Sequence, residues 1–139
     1  MRILGFNFTK ISGEKGIKPL KEVNVNSNID IKEIKEADSD ILKSKDKILG
    51  IKFVYDLAYE PDVAKLSIEG VLILSIDPKE AKDILKDWKD NIISDNFKIN
   101  VFNIIMRKSN LKALTLEEDL NLPLHISFPV LRKQEKMEK

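Results

Sequence analysis

Cysteine is absent from this chain, and histidine occurs once, as His125; its five glycines form no phosphate-binding loop. Without thiols, disulfide bonds and thiolate metal sites are excluded, and one histidine cannot hold a metal without carboxylate help. A catalytic triad needs partners that no spacing in the sequence supplies. We therefore expect no cofactor, no metal and no enzymatic activity, and we interpret His125 as a surface or interface side chain.

Neither sign of charge prevails, since 24 Lys and Arg residues stand against 23 Asp and Glu residues. The only arginines are Arg2, Arg107 and Arg132, although arginine is the residue best suited to reading phosphate. A chain with almost no net charge does not attract a polyanion over long distances, so we expect no nucleic-acid partner. An RNA-associated accessory factor stays open as an alternative, and it would need a cluster of lysines on one face.

Long hydrophobic runs are also absent, because the longest, Val71–Leu74 with Ile76, has the length of a strand. A membrane span needs about 20 apolar residues, and Met1–Lys10 lacks the features of a signal peptide. We expect no membrane insertion and a cytoplasmic location. With 139 residues, 42% of them hydrophobic, the chain suits one domain, which we place at residues 1–132 with a flexible tail at 133–139.

Four segments alternate between apolar and polar residues, as half-buried strands do. They are Arg2–Ser12, Glu22–Ile34, Ile51–Glu60 and Val63–Ile76, and Lys35–Asp46 is expected to be a solvated connection. Pro61 marks a turn between the last two strands, which predicts an antiparallel hairpin. Gly70 indicates a bulge or a close backbone approach. The aromatic residues fall on core parities, which favours a core over a base-stacking platform: Phe6, Phe8, Phe53, Tyr55 and Tyr59.

Two helices are predicted after the strands. Asp77 as N-cap with Pro78 at the first helical position is a strong start signal, and a broadly apolar second helix begins between Ser94 and Lys98 and ends near Glu118. The prolines at 123 and 129 then predict an extended apolar segment. Adjacent acids at Glu117, Glu118 and Asp119 are interpreted as solvated helix-end residues. An enzyme that uses carboxylates alone is the alternative.

The fold class expected from this order is α+β, a four-stranded antiparallel sheet followed by two C-terminal helices packed on one face. The fourth strand and the second helix are apolar on more than one side, and the C-terminal segment adds further apolar residues, which is more than one covered sheet face requires. Such a surplus is typical of oligomerisation or of a groove that binds polypeptides. The alternative to a groove is a structural or assembly protein whose apolar surface serves self-association or one fixed partner.

The order of elements resembles the SecB-type protein-export chaperones, which have four antiparallel strands, a long crossover between the first two, and C-terminal helices. The hairpin Lys47–Ser75 carries the resemblance, and Gly5–Ser12 is similar to the family's first strand. Phe102–Lys108 matches the start of the family's last long helix, and Pro123–Val130 its apolar ending. The stretch from Leu116 to Pro129 is also similar to uncharacterised archaeal proteins.

The resemblance implies an ATP-independent chaperone or polypeptide-binding module that works as a homo-oligomer and holds unfolded or partly folded polypeptides. By the same resemblance, the loop that carries Ile17, Pro19 and Leu20 corresponds to the family's crossover, and this crossover loop would line the client groove together with the second helix and the C-terminal segment. The residues that it implies are Ile17, Leu20, Val101, Phe102, Ile105, Leu124 and Phe128. Family members that deliver clients to the secretion ATPase are acidic, whereas this chain has a net charge of +1.

Overall fold

The computed structural model describes residues 1–17, 19, 21–37, 45–131 and 133. In this part of the chain, strands come first and helices follow. The strands are β1 (Arg2–Lys15), β2 (Asn24–Ala37), β3 (Lys47–Glu60) and β4 (Ala64–Ile76), and the helices are α1 (Pro78–Lys89) and α2 (Asp95–Asp119). All neighbouring strands are antiparallel, and the buried side chains of the sheet pack against both helices. The expected α+β fold is confirmed.

The sheet has the order β1-β4-β3-β2, so the first two strands of the chain lie at opposite edges. Three strands, β2 to β4, follow one another as neighbours, and β1 joins beside β4, which is a Greek-key order. The connection from Lys15 to Asn24 therefore crosses one end of the sheet. It begins at the end where β3 turns into β4, because Lys15 pairs with Ala64.

The predicted hairpin of β3 and β4 is confirmed, and it contains a close backbone approach. Gly70 lies opposite Phe53, and a Cβ added at Gly70 would lie 2.6 Å from the Asn7 carbonyl oxygen and 2.7 Å from Cζ of Phe53. The Phe53 ring thus occupies the volume over a position that only glycine fits. Phe6 stacks on the same ring at 5.3 Å, which joins three strands in one aromatic contact.

Both edge strands contain register shifts, which the simple alternation of the sequence did not predict. β1 shifts against β4 twice, between Ile3 and Gly5 and between Phe8 and Lys10, and β2 shifts against β3 between Ile31 and Glu33. Beyond each shift, the core side chains are the odd-numbered residues where they were even-numbered before it, or the reverse. In β2, Ile31 before the shift and Ile34 after it are therefore both buried. A bulge leaves one residue of the strand unpaired and locally disrupts the ladder.

The start of α1 is confirmed in detail. Oδ2 of Asp77 accepts hydrogen bonds from the backbone N–H groups of Lys79 at 3.2 Å and Glu80 at 3.4 Å. Pro78 is the first helical residue, where its missing N–H costs nothing. The apolar side of α1 then packs into the core through Ala81 and Ile84.

Helix α2 is buried along a line that repeats every four residues. The line consists of Phe97, Val101, Ile105, Ser109, Ala113 and Glu117. Because a helical turn has about 3.6 residues, such a line drifts by about 40° at each step. The helix therefore crosses the sheet obliquely and connects two core clusters. Its first half packs with α1 and Leu72, and its second half packs with Tyr59 and Leu66.

Three strands extend beyond the sequence prediction: β1 ends at Lys15 and not at Ser12, β2 ends at Ala37 and not at Ile34, and β3 begins at Lys47 and not at Ile51. The connection expected at Lys35–Asp46 begins later, because Lys35, Glu36 and Ala37 pair with β3 as the last residues of β2. Residues 38–44 lie outside the described residues, as does the expected tail at 133–139 except for Lys133.

Candidate functional site

The chain reverses direction directly after α2 in a Schellman motif. Asn121 has a φ of 52°. The N–H of Leu122 donates to the Glu117 carbonyl oxygen at 2.8 Å, and that of Asn121 donates to the Glu118 carbonyl oxygen at 3.3 Å. Leu122 is buried and enters the second core cluster. The reversal sends the following residues back beside α2, which brings His125 onto Glu117.

Glu117 is a fully buried carboxylate that accepts hydrogen bonds from two parts of the fold. Its Oε2 accepts from the Tyr59 hydroxyl and from the backbone N–H of His125, the latter at 2.9 Å. Its Oε1 lies 2.7 Å from Nδ1 of His125. Burying a carboxylate costs several kcal/mol unless it is paired and hydrogen-bonded, and these three donors meet that requirement.

The second nitrogen of His125 is also engaged inside the protein. Nε2 lies 3.0 Å from Oδ1 of Asn110 and 3.4 Å from the Tyr55 hydroxyl. Tyr55 in turn donates to the same Asn110 oxygen at 2.5 Å. Both ring nitrogens of His125 thus have polar partners inside the protein. We call these five residues, Tyr55, Tyr59, Asn110, Glu117 and His125, the Glu117 network.

The two tyrosines of the Glu117 network are weaker acids than a tyrosine in water. Burial, with the negative charge of Glu117 as a second cause, raises the pKa of Tyr55 to about 12. The pKa of Tyr59 is raised further, first by burial and then by its hydrogen bond to Glu117. Both hydroxyls therefore stay protonated, as donors, across the physiological pH range.

A histidine beside a carboxylate provides two of the three members of a catalytic triad, but here both side chains make their contacts within the fold. The His125 side chain is 8% exposed, and both of its nitrogens already have partners. What the network accomplishes is anchoring: it fastens the segment after α2 to the helix and to β3.

Two interpretations of the sequence are wrong at this site. Glu117 is not a solvated helix-end residue, and His125 is not a surface side chain, because the C-terminal segment covers the last turns of α2. The four-residue burial line that includes Glu117 was the available signal, since Glu117 continues the series from Val101 and Ile105 by multiples of four.

The resemblance placed seven residues in a client groove, and the structure divides them. The prediction that Val101 and Ile105 line the groove is wrong. They are 2% and 0% exposed and pack on the sheet side of α2, so they present no surface for a client. Phe102 is half-buried against the core, with the Lys98 ammonium 5.4 Å from its ring centroid. Leu20 lies outside the described residues.

The remaining three predicted residues are exposed. Leu124 is 41% exposed, Phe128 is 54% exposed, and Ile17 is fully exposed. Further apolar side chains of the C-terminal segment are exposed beside them, namely Ile126, Val130 and Leu131. We call the exposed apolar residues of Leu124–Leu131 the C-terminal apolar surface.

The crossover loop and the C-terminal segment leave the fold at the same end of the sheet. Nζ of Lys15, two residues before Ile17, donates to the Asn121 carbonyl oxygen at 3.4 Å. A Cβ added at Gly13 would lie 3.0 Å from Cδ1 of Leu120. The end of β1 is thus in contact with the end of α2. The crossover loop and the C-terminal segment, two of the three regions that the resemblance placed in the groove, therefore begin side by side.

The described part of the chain has neither a metal-binding arrangement nor a helix that could cross a membrane. There, no group of His, Asp and Glu side chains has an arrangement that could hold a metal ion. Among the same residues, neither helix combines the length and the apolar character that crossing a membrane requires.

The chain is similar in fold to a solved SecB-like chaperone. That structure is Rv1957 of Mycobacterium tuberculosis in complex with a ChAD peptide from the Rv1956 HigA1 antitoxin. The TM-score is 0.55 at 11% sequence identity, over 96% of this chain and 92% of the other. No family model matches the sequence, and no curated protein does. The similarity establishes a SecB-like fold for this chain.

Proposed function

We propose that this protein is an ATP-independent, non-enzymatic chaperone or polypeptide-binding module that holds non-native clients by their apolar side chains. The observation that carries the proposal is the C-terminal apolar surface, which stays exposed although its segment is fastened to the core. Leu122 and His125 anchor the segment, whereas Leu124 and Phe128 beside them face solvent. A fixed apolar surface loses less conformational entropy on binding than a free tail would.

The SecB-like fold supports this proposal, because the similar solved structure is that of a chaperone with a peptide bound. Binding strength follows from burial: covering a Leu or Phe side chain contributes about 1.5–3 kcal/mol before entropic losses. With Leu124, Phe128 and Ile17 in reach of one client, moderate affinity without sequence specificity is expected. That is the behaviour of a holding chaperone.

Suppression of aggregation during refolding of a denatured client, followed by light scattering without nucleotide, tests the proposal. The test variant is Leu124→Asp with Phe128→Asp, which changes exposed side chains and leaves Leu122 and His125 in place. The matched control is Leu111→Asp, since Leu111 is 63% exposed on α2. Suppression by the natural chain and the control, lost in the test variant, is expected. A folded natural chain that never suppresses aggregation would contradict the proposal.

A second function, assembly through self-association, is favoured by the edge strand β1. Ile3, Leu4 and Ile11 of β1 are exposed by 51%, 37% and 39%, and its outer edge has no partner strand among the described residues. The other edge, β2, is by contrast lined with asparagine at 24, 26 and 28. Apolar side chains along an unpaired edge favour pairing with another chain.

Solution mass distinguishes the two functions. A homo-oligomer that dissociates in an Ile3→Lys, Ile11→Lys variant, while the C-terminal apolar surface still suppresses aggregation, would assign assembly to β1 and client binding to the C-terminal segment. Loss of both properties in that variant would instead indicate that binding requires the assembled form.

A further inference from the structure

A groove runs between α1 and the paired ends of β2 and β3, on a different part of the molecule from the C-terminal apolar surface. Its volume is about 670 Å³. Its apolar lining is Pro78, Ala81 and Leu85. Its polar lining consists of Glu36, Lys47, Lys82, Lys86 and Lys89. We call it the lysine groove.

The positive charge of the lysine groove is not neutralised within the described part of the chain. Glu36 and Lys47 pair with each other at 3.4 Å. Lys82, Lys86 and Lys89 are exposed, and none of them forms an ion pair with a described carboxylate. The groove therefore presents three ammonium groups beside an apolar lining.

The three lysines form one stripe of α1. Lys82, Lys86 and Lys89 lie within about 60° of one another around the helix axis at about 3.6 residues per turn. The acids of a second stripe lie about 120° away at the same helical repeat, namely Glu80, Asp83 and Asp87. Asp83 and Asp90 lie three and four residues from Lys86, a spacing at which opposite charges can pair, but no ion pair joins Lys86 to either of them among the described residues. The lysine stripe is therefore available to an outside partner.

We propose that the lysine groove binds an acidic segment of a partner protein, one whose carboxylates alternate with apolar side chains. The carboxylates would pair with the ammonium groups of Lys82, Lys86 and Lys89, and the apolar side chains would cover Pro78 and Leu85. The rise from residue 82 to residue 86 is about 6 Å, and side chains on one face of an extended strand are about 6.6 Å apart. Two successive same-face carboxylates of an extended segment therefore match Lys82 and Lys86, whereas Lys89 lies only about 4.5 Å beyond Lys86 along the helix axis.

The acidic stripe of α1 favours a narrow peptide over a broad polyanion. An RNA helix or an anionic lipid surface lying on this helix would also approach Asp83 and Asp87, and like charges disfavour that contact. A single extended chain can follow the lysines along the groove without meeting those acids.

Fluorescence anisotropy tests the proposal with a labelled peptide of alternating Glu and Leu as the probe, at low and high salt. The test variant is Lys82→Gln with Lys86→Gln, and the matched control is Lys10→Gln with Lys108→Gln, exposed lysines elsewhere. We expect salt-sensitive binding that the test variant weakens about tenfold, from two exposed ion pairs, while the control is unchanged. The emission of Trp88, the single tryptophan, verifies folding.

Several outcomes would overturn the proposal. One is equal weakening by the control variant, and another is tighter binding of an RNA oligonucleotide or anionic vesicles than of the peptide. A third is binding that appears only after Asp38→Asn and Asp40→Asn, since the chain itself would then be the occupant. The double variant Leu124→Asp, Phe128→Asp should leave peptide binding unchanged, so that this proposal and the chaperone function fail independently.

Discussion

Nδ1 of His125 lies 2.7 Å from Oε1 of Glu117, and the backbone N–H of His125 donates to the other oxygen of the same carboxylate at 2.9 Å. One carboxylate thus holds both the side chain and the main chain of a residue eight positions later. Together with Tyr59 on β3, this joins the sheet, α2 and the C-terminal segment at a single buried charge. The position of the C-terminal apolar surface therefore depends on Glu117.

Replacing Glu117 by alanine should destabilise the protein by about 3 kcal/mol, because it leaves the donors of Tyr59 and His125 buried without an acceptor. Glu118→Ala is the matched control: Glu118 is exposed and adjacent, so its change should stay within about 0.5 kcal/mol. Urea unfolding followed by Trp88 fluorescence measures both. Equal stability of the two variants would show that the Glu117 network contributes nothing to the fold.

The tyrosines provide a prediction about alkaline pH. Tyr55 and Tyr59 are the only two tyrosines of the chain, so all phenolate absorbance reports on the Glu117 network. An unfolded tyrosine ionises near about pH 10, whereas the pKa of Tyr55 is raised to about 12. The unfolded chain therefore loses its proton first. The stabilisation from Tyr55, about 2 to 3 kcal/mol, is complete below about pH 10 and is lost as the pH rises through 12.

Near-ultraviolet absorbance against pH, recorded beside urea midpoints at about pH 9 and about pH 11, checks this prediction. Phenolate should appear together with unfolding rather than before it. Tyr55→Phe should reduce the loss of stability between the two pH values. Two tyrosines that titrate near the ordinary value in a folded protein would contradict the burial and hydrogen bonding described for them.

Gly70 provides a packing prediction. Gly70→Ala should destabilise the protein by about 1–3 kcal/mol, because the added methyl would overlap the Asn7 carbonyl and the Phe53 ring. Gly5→Ala is the control on the neighbouring strand, where a Cβ would meet Ile73 at an ordinary 3.7 Å. Thermal unfolding of both variants measures the difference. An unchanged melting temperature for Gly70→Ala would mean that Phe53 does not cover this position.

Asn121 provides a prediction about the reversal of the chain. Its φ of 52° lies in the left-handed region, which glycine adopts freely and alanine does not. Asn121→Gly should preserve or slightly raise stability, and Asn121→Ala should cost about 1 kcal/mol. Amide hydrogen exchange at Leu122 and His125 should quicken only in the alanine variant. The reverse order of the two variants would be incompatible with the Schellman motif.

The sequence was sufficient to predict the elements, because each carries a local signal. The Asp77 cap, the Pro61 turn and the alternation of β3 all depend on neighbouring residues, and the structure confirms them. The bulges of β1 and β2 escaped because alternation continues on each side of a bulge, with only the parity changed. A single extra residue at position 4, 9 or 32 has no distinctive composition.

The site was less accessible to sequence reasoning, because burial of a charge is a property of the tertiary fold. Glu117 looks like its exposed neighbour Glu118 until the C-terminal segment is folded back over it. The partners of His125 lie 8, 15 and 70 positions away in the chain, distances at which spacing predicts nothing. The resemblance implied Ile17, Leu124 and Phe128, and the structure shows that they are exposed, whereas their role in binding a client stays a prediction.

The four-residue burial line of α2 has a consequence for how the gene can vary in length. Deleting one residue near Ser109 would rotate everything beyond it by about 100°, turning Ala113 and Glu117 away from the sheet. The connection between β1 and β2 has no helical repeat to keep, so it could lose or gain residues at a far smaller cost in stability. Natural relatives of this chain should therefore differ in the length of the crossover and agree, residue for residue, in the length of α2.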